Sequence, residues 1–490
     1  MLLSENANVL ASEIKRAISM DLLDKQKLKA REGVRYYNHE HDILKQRIFY
    51  VDNNKQLRED TYASNARIVH SFLTELIDQK VQLMLSNPIQ IECEDEQLRE
   101  RLQEYYNPKF QTFLQDLVEE GSQKGFEYVY ARTNANDILE FQIADGLQVI
   151  PIYDENNQLV RVLYYHANQI NKDGKKVWLR HAEIYDSEKV WYFIATDNES
   201  YELDSSKVLN PAPHVLAEFT DNENKDEILT RSYGTIPFYR YQNNRREKTD
   251  LEPIKSMIDD YDLMDSFMSN NLQDLTEAFY VVKGFDGDIE ELNFNLRAKK
   301  KLAIPDSTGD VDIKTVEIPV EGRKSKLLLD RENIYKFGFG FDSSQVGDGN
   351  ITNVVILGRY TLLNMKVNKT ETRLREALDW MNKMVIDDIN RRFNTAYSPG
   401  EVSFEFTREM LVNKADNATV AKTEAETNQV IVQTLLAVAP LLPTEEVLRQ
   451  ICDMYELDFE EIQDMLEVQD YEENDNPDVP DESEETIPEE

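Results

Sequence analysis

Cysteine is nearly absent from this chain of 490 residues. Only Cys93 and Cys452 occur, far apart and without CxxC spacing, so neither a disulfide framework nor a zinc site is indicated and a reducing setting fits. Basic side chains are also in deficit. Fifty-five Lys and Arg stand against 93 Asp and Glu, a formal charge of −38. That excludes a protein whose main task is to grip phosphates through a broad basic surface. No uninterrupted run of about 18 apolar residues occurs, so no membrane-spanning helix is expected. Residues 1–21 are broken by Glu5, Glu13, Lys15 and Arg16 and lack the apolar centre of a signal peptide. Also missing are a phosphate-binding GxxxxGK loop, a GxGxxG before a helix, HExxH and GxSxG; Gly338-Phe-Gly340 has the wrong spacing. ATP hydrolysis has no support, no cofactor is implied, and no enzyme is expected.

What is present is organised. At roughly 150 residues per domain the length allows about three. The last 24 residues, Glu467 to Glu490, hold 12 carboxylates and no Lys or Arg; with so few apolar groups to offset ordering entropy, they are expected to be disordered. The remaining body still carries −26.

Up to residue 125 the apolar spacing is helical. Val69, Phe72, Leu73, Leu76, Ile77, Val81, Met84 and Leu85 recur at three- and four-residue steps until Asn87-Pro88, and Phe110, Phe113, Leu114, Leu117 and Val118 do so before Gly121. From Phe126 to about Phe219 the period becomes two, with turn clusters at residues 154–157 and 172–174, which predicts antiparallel hairpins. A helix is expected over 251–275, then a strand at Ala278 to Val282 and a small mixed segment to about Leu329. The longest helical pattern covers 356–395. Its stripe of Tyr360, Leu363, Val367, Leu374, Leu378, Met381, Val385, Ile389 and Phe393 implies a rod of roughly 60 Å, which needs support from a large domain or an assembly. Strand Val402 to Phe406 follows, then helices over 418–438 and 444–455.

Candidate chemistry is sparse. His39 and His41 stand two apart, a spacing that helical geometry puts on different faces, so a polar surface is expected and not a metal site. Asp259, Asp262 and Asp265 share one face of a helix. They could serve a metal-dependent nuclease, but all come from one element, and a solvated or pore-lining acidic face is the preferred reading. An acidic assembly chaperone, suggested by the tail, is the other alternative.

The order of segments then resembles a known family. Tyr233-Gly-Thr-Ile-Pro-Phe-Tyr-Arg-Tyr-Gln-Asn-Asn244, Asp250-Leu-Glu-Pro-Ile254 and Ile258-Asp-Asp-Tyr-Asp-Leu-Met-Asp-Ser266 resemble the signature of tailed-bacteriophage portal proteins, in the branch found in phages of Gram-positive hosts. Tyr36-Tyr37 with Asp42-Ile43, the helix ending at Asn87-Pro88, and Phe113 through Gly125 add to the likeness, which extends over about Tyr36 to Glu461. One departure is Thr352-Asn353, where many relatives have Ser-Gly before the long helix.

The resemblance implies an α+β, predominantly helical fold with wing, stem, clip and crown around a central channel. On this chain it places the wing at 1–249, a stem helix at 250–275, the clip at 276–325, a second stem helix at 326–341 and a tunnel loop at 342–355. The long wing helix and strand occupy 356–406, the crown 407–466, and the acidic tail 467–490. It further implies a homo-oligomeric ring, usually of twelve subunits, at one capsid vertex of the virion, assembled in the host cytoplasm. The ring passes double-stranded DNA during packaging and ejection. Its other partners are the terminase packaging motor, the head–tail adaptor, and the major capsid and scaffolding proteins. Asp259, Asp262 and Asp265 become candidates for a channel-facing stem. Asp342, Ser343, Ser344, Gln345, Val346, Gly347, Asp348, Gly349 and Asn350 become the tunnel loop, and the basic run Arg297, Lys299, Lys300 and Lys301 a docking patch in the clip. Ring contacts are expected along the apolar stripes of the long helices.

Overall fold

The computed structural model describes residues 2–274, 279–283, 310–314, 319–342 and 353–408, apart from five single positions and residues 221–225, together with scattered positions between 422 and 459. Two compact units are separable: residues 1–347 with 358–410, and residues 348–357 with 411–490.

Unit one opens with helices α1 (Ala7–Asp21) and α2 (Lys25–Tyr37), each started by a side-chain cap: Asn6 accepts from the Asn8 amide, and Asp24 from the amides of Gln26 and Lys27. An exposed ribbon of β1 (Phe49–Val51) and β2 (Leu57–Glu59) follows. The helical reading of the first 125 residues missed it. Then come α3 (Phe72–Leu85), β3 (Gln90–Glu92), α4 (Glu96–Tyr105) and α5 (Pro108–Lys124). Helix α5 begins with Asn107 as cap and Pro108 in its first turn, and it ends at Gly125, whose φ of +86° only glycine adopts without strain. Where α2 crosses α5, a Cβ on Gly33 would lie 1.9 Å from the Gln123 carbonyl oxygen. The glycine is what permits so close an approach.

The two-residue period produces antiparallel sheet throughout. Strands β4 (Phe126–Thr133) and β5 (Leu139–Ala144) lead into β6 (Val149–Tyr153), β7 (Leu159–Lys172), β8 (Lys175–Tyr185), β9 (Lys189–Thr196) and the short β10 (Glu202–Leu203) and β11 (Ala212–Pro213). These last six form one sheet in the order β10-β9-β8-β7-β6, with β11 also on β9. Strands β12 (Val215–Thr220) and β13 (Asp226–Arg231) make a ribbon, and β14 (Phe238–Gln242) completes a three-stranded sheet ordered β14-β4-β5.

Four further elements belong to the predicted channel region and its support. Helix α6 spans Lys255–Asp274; β15 (Phe279–Lys283) pairs with β16 (Asp310–Lys314); α7 spans Val320–Gly338. Helix α7 thus starts six residues before the boundary expected at 326 for the second stem helix, inside the stretch expected to be the clip. The long helix, α8, runs from Asn353 to Phe393, so residues 353–355 are helical and not part of a loop. Strand β17 (Ser403–Glu405) pairs with β3, Phe404 opposite Ile91.

Leu363, Val367, Leu374, Leu378, Met381, Val385 and Ile389 are all buried, in one cluster with Leu98 and Leu102 of α4 and Leu114, Leu117 and Val118 of α5. Apart from the half-buried Tyr360 and the exposed Phe393, the stripe expected to carry ring contacts is consumed inside its own protomer. Within unit two, the described residues of the two predicted C-terminal helices are helical, and Arg449 stacks over Phe459 with its guanidinium carbon 5.0 Å from the ring centroid.

Candidate functional site: the polar face of helix α6

The three aspartates placed on a channel-facing stem have unequal surroundings. The side chain of Asp262 is 1% exposed, whereas those of Asp259 and Asp265 are 34% and 31% exposed. Asp262 therefore does not line an open acidic face. Its Oδ2 lies 2.6 Å from His41 Nδ1 and its Oδ1 2.8 Å from His70 Nδ1.

Asp262 is the first rung of a ladder. Asp262, Ser266 and Asn270 recur every four residues on one side of α6, and all three are buried. Each accepts a backbone N–H from an extended segment: His70 to Asp262 at 3.1 Å, Ile68 to Ser266 Oγ at 2.9 Å, and Ala66 to Asn270 Oδ1 at 2.6 Å. The registers match because four helical residues rise about 6 Å and two extended residues about 6.6 Å. The helix replaces a neighbouring strand, satisfying amides that burial would otherwise leave unpaired. The sequence did contain the signal, an Asp-Ser-Asn set at i, i+4 and i+8. It was overshadowed by the charge count.

His41, expected at a polar surface, is 1% exposed. Its ring stacks on Tyr36 with centroids 4.4 Å apart, and its Nε2 lies 3.2 Å from the Tyr36 carbonyl oxygen. Both ring nitrogens face acceptors, as do those of His70, whose Nε2 is 3.2 Å from Asp265 Oδ2. Burial favours the neutral form of the Asp262 carboxyl, but hydrogen bonds from His41 and His70 overcome this and hold it below its ordinary value.

The neighbouring carboxylates are also committed. Asp259 accepts from the Tyr36 hydroxyl and from Lys255 at 2.7 Å, and Lys255 reaches Asp42 at 2.9 Å. Lys326 of α7 bridges Asp260, at 2.6 Å, and Asp330. Among the described residues no group of three or more His, Cys, Asp or Glu is arranged to hold a metal ion. The cluster thus works as a bolt between α6, α7 and the segments at 36–42 and 66–70.

Of the predicted tunnel loop, Asp342 and the helical residues 353–355 are described; Ser343 to Asn350 lie outside the described residues, as do Arg297, Lys299, Lys300 and Lys301. Asp342 is held by Arg331 of α7, at 2.8 and 3.0 Å. Just before it, the Gln79 amide brackets Phe341, accepting from its N–H at 2.9 Å and donating to its carbonyl at 2.7 Å. The Phe341 ring stacks on Tyr360 with centroids 4.8 Å apart. The point where the chain leaves α7 is therefore fixed from three sides.

The family model for phage portal protein, SPP1 Gp6-like, matches residues 20–475. The chain belongs to this portal family. The portal protein of Bacillus phage SPP1 is 27% identical over 392 residues, covering 79% of this chain and 75% of the relative. That of Clostridium phage phiCD119 is 24% identical over 427 residues, covering 84% and 88%. Both come from phages of Gram-positive hosts, as the resemblance implied. Among solved structures, a chain of the neck of a native GTA particle, computed with C12 symmetry, aligns at a TM-score of 0.33 and 13% identity over 78% of this chain and 90% of that one. A portal is a virion component. Neither the nuclease nor the chaperone alternative finds support in these relatives, and the carboxylates a nuclease would need are already engaged.

Proposed function

We propose that this portal protein assembles into a homo-oligomeric ring, of twelve subunits as the family resemblance implies, at one capsid vertex. The ring is a conduit through which double-stranded DNA enters during packaging and leaves on ejection. The family match across residues 20–475 carries this reading. In it, the packaging motor and the head–tail adaptor dock on the ring in turn, capsid and scaffolding proteins surround it, and assembly takes place in the host cytoplasm.

The parts follow the family's order. Residues 1–249 with the long helix form the wing, α6 and α7 the stem, the segment between them the clip, and residues 407–466 the crown. Asp342 anchors the tunnel loop, and Ser343, Ser344, Gln345, Gly347 and Gly349 are small or neutral groups that touch phosphates without retaining them. Asp259 and Asp265 remain channel-facing candidates through their exposed edges; Asp262 does not. Arg297, Lys299, Lys300 and Lys301 dock an acidic partner by charge complementarity.

The net charge suits a conduit. DNA carries about one negative charge per 1.7 Å of axis, and each lysine that neutralised a phosphate would add an attachment to be broken as the duplex moves. An acidic ring holds its cargo weakly. Gold-labelled antibody against the chain is expected to mark phage particles at a single vertex, the one bearing the tail, by electron microscopy. Label distributed over the capsid, or absent from it, would reject the assignment.

A further inference from the structure

A cavity of about 300 Å³ lies between the segment 243–253, the last turn of α7 and the middle of α8. Its walls include three lysines, Lys248, Lys366 and Lys369, and two carboxylates, Asp250 and Glu252. Both carboxylates are spent internally. Asp250 accepts from Lys80 at 2.7 Å, Lys366 at 3.0 Å and the Asn243 amide at 2.9 Å, and Glu252 accepts from Lys29 at 2.7 Å. Lys366 is held as well, donating to the Gly338 carbonyl at 3.0 Å. Lys248 and Lys369 are different. Both are exposed, and among the described residues neither ammonium has a hydrogen bond or an ion pair. Beside them Phe337, 48% exposed, and Pro253 offer an apolar wall.

Two unanswered ammonium groups in a chain of net charge −38 specify an anion. The apolar wall specifies that the anion arrives on something with hydrocarbon beside it. A cavity of this size accepts one or two side chains. At about 300 Å³ it is too small to admit a duplex. Copies of so acidic a chain repel one another, and a cyclic ring joins one surface of each copy to a different surface of the next. A cavity with two exposed lysines on one side of such a joint would offset part of that repulsion. We infer that the Lys248–Lys369 cavity receives a carboxylate-bearing segment of a second copy of this chain. This rests on the ring reading and adds one of the contacts that close the ring.

The test uses full-length protein assembled from an equal mixture of ¹⁵N-labelled and unlabelled copies. A zero-length carbodiimide cross-linker joins lysines to carboxylates in contact, and mass spectrometry reads the products. Heavy–light peptides joining Lys248 or Lys369 to an Asp or Glu are the expected result. In parallel, the double variant Lys248→Glu, Lys369→Glu should lower ring yield by about tenfold through like-charge repulsion, with an unchanged urea midpoint for the dissociated protomer. Rings whose Lys248 and Lys369 form only same-isotope cross-links, or stay fully open to acetylation, overturn the inference while leaving the ring intact. Protection of both lysines only after duplex DNA is added overturns it in favour of a nucleic-acid contact. A monomeric mass in the parent protein would overturn the ring reading itself, and the two failures are therefore distinguishable.

Discussion

Asp262→Ala is expected to destabilise the protomer by about 3–5 kcal/mol, because each buried donor left without its acceptor costs about 1–3 kcal/mol. The substitution leaves the His41 ring, fully enclosed, facing a hole at Nδ1. It also strips the His70 backbone N–H and ring Nδ1 of their shared acceptor. Asp259→Ala and Asp265→Ala, each removing a side chain about one-third exposed, should cost about 1 kcal/mol or less, as partly solvated pairs do. Urea unfolding of the three variants separates the two cases. Equal shifts in all three would contradict the ladder. The pH dependence gives a second reading of the same residue. A carboxyl whose folded value lies below its unfolded one stabilises the fold above the unfolded value, and this contribution disappears as pH falls through the folded value. For Asp262 the ordinary value is 3.8 and the folded value is lower. The parent's urea midpoint should therefore fall as pH drops through and below the ordinary value of 3.8, and Asp262→Asn should flatten part of that fall.

Asp388→Ala should be comparably severe, again about 3–5 kcal/mol. Asp388, on the last turns of α8, is 3% exposed. One of its oxygens accepts from the Tyr105 hydroxyl at 2.9 Å and the Leu139 amide at 3.2 Å; the other accepts from Arg231 at 3.0 Å and Arg391 at 2.7 Å. A single carboxylate thus ties the long helix to the end of α4, the start of β5 and the end of β13. Burial alone would raise its pKa, yet the donors from Arg391, Tyr105 and Arg231 hold it below the ordinary value. The variant should also expose the Leu139 amide to faster hydrogen exchange, an effect that general destabilisation alone would not confine to that strand. Arg391→Ala, with its side chain 30% exposed, should cost far less. A mild Asp388→Ala phenotype with unchanged exchange at Leu139 would show that other contacts secure the helix.

These two aspartates mark where sequence reasoning succeeded and where it failed. Periodicity located α8 to within three residues at its start and two at its end, because a continuous apolar stripe with no proline leaves few alternatives. It located the hairpin module for the same reason. It did not indicate what would cover the stripe, and α4 and α5 of the same protomer do so. Asp259, Asp262 and Asp265 looked equivalent because spacing of three records only the helix face. Their burial is decided by His41, 221 residues earlier in the chain, and the segment 66–70, whose His70 is 192 residues earlier. The ribbon of β1 and β2 was invisible for a related reason, since strands of three exposed residues leave no two-sided pattern to detect.

The portal signature itself acquires a physical meaning. Phe238, Asn243, Asp250, Ile254, Ile258, Asp262 and Ser266 are all buried in the protomer. Phe238 stacks on Tyr130, with centroids 4.7 Å apart. Asp250 neutralises the fully buried Lys80, and the Asn243 side-chain oxygen accepts a second hydrogen bond from it. Asp262 and Ser266 hold the extended segment. The residues that make the family legible in sequence are buried in the protomer and fix α6 to its neighbours. For that reason motif reading identifies the family more securely than it identifies exposed functional groups.

The most direct test of the account is the native mass of the purified protein, combined with the rotational symmetry of its images in negative stain. A closed ring of many copies around an open central channel is the predicted result. A particle with the mass of a single 490-residue chain, and no rotational symmetry under conditions where the fold is intact, would contradict it.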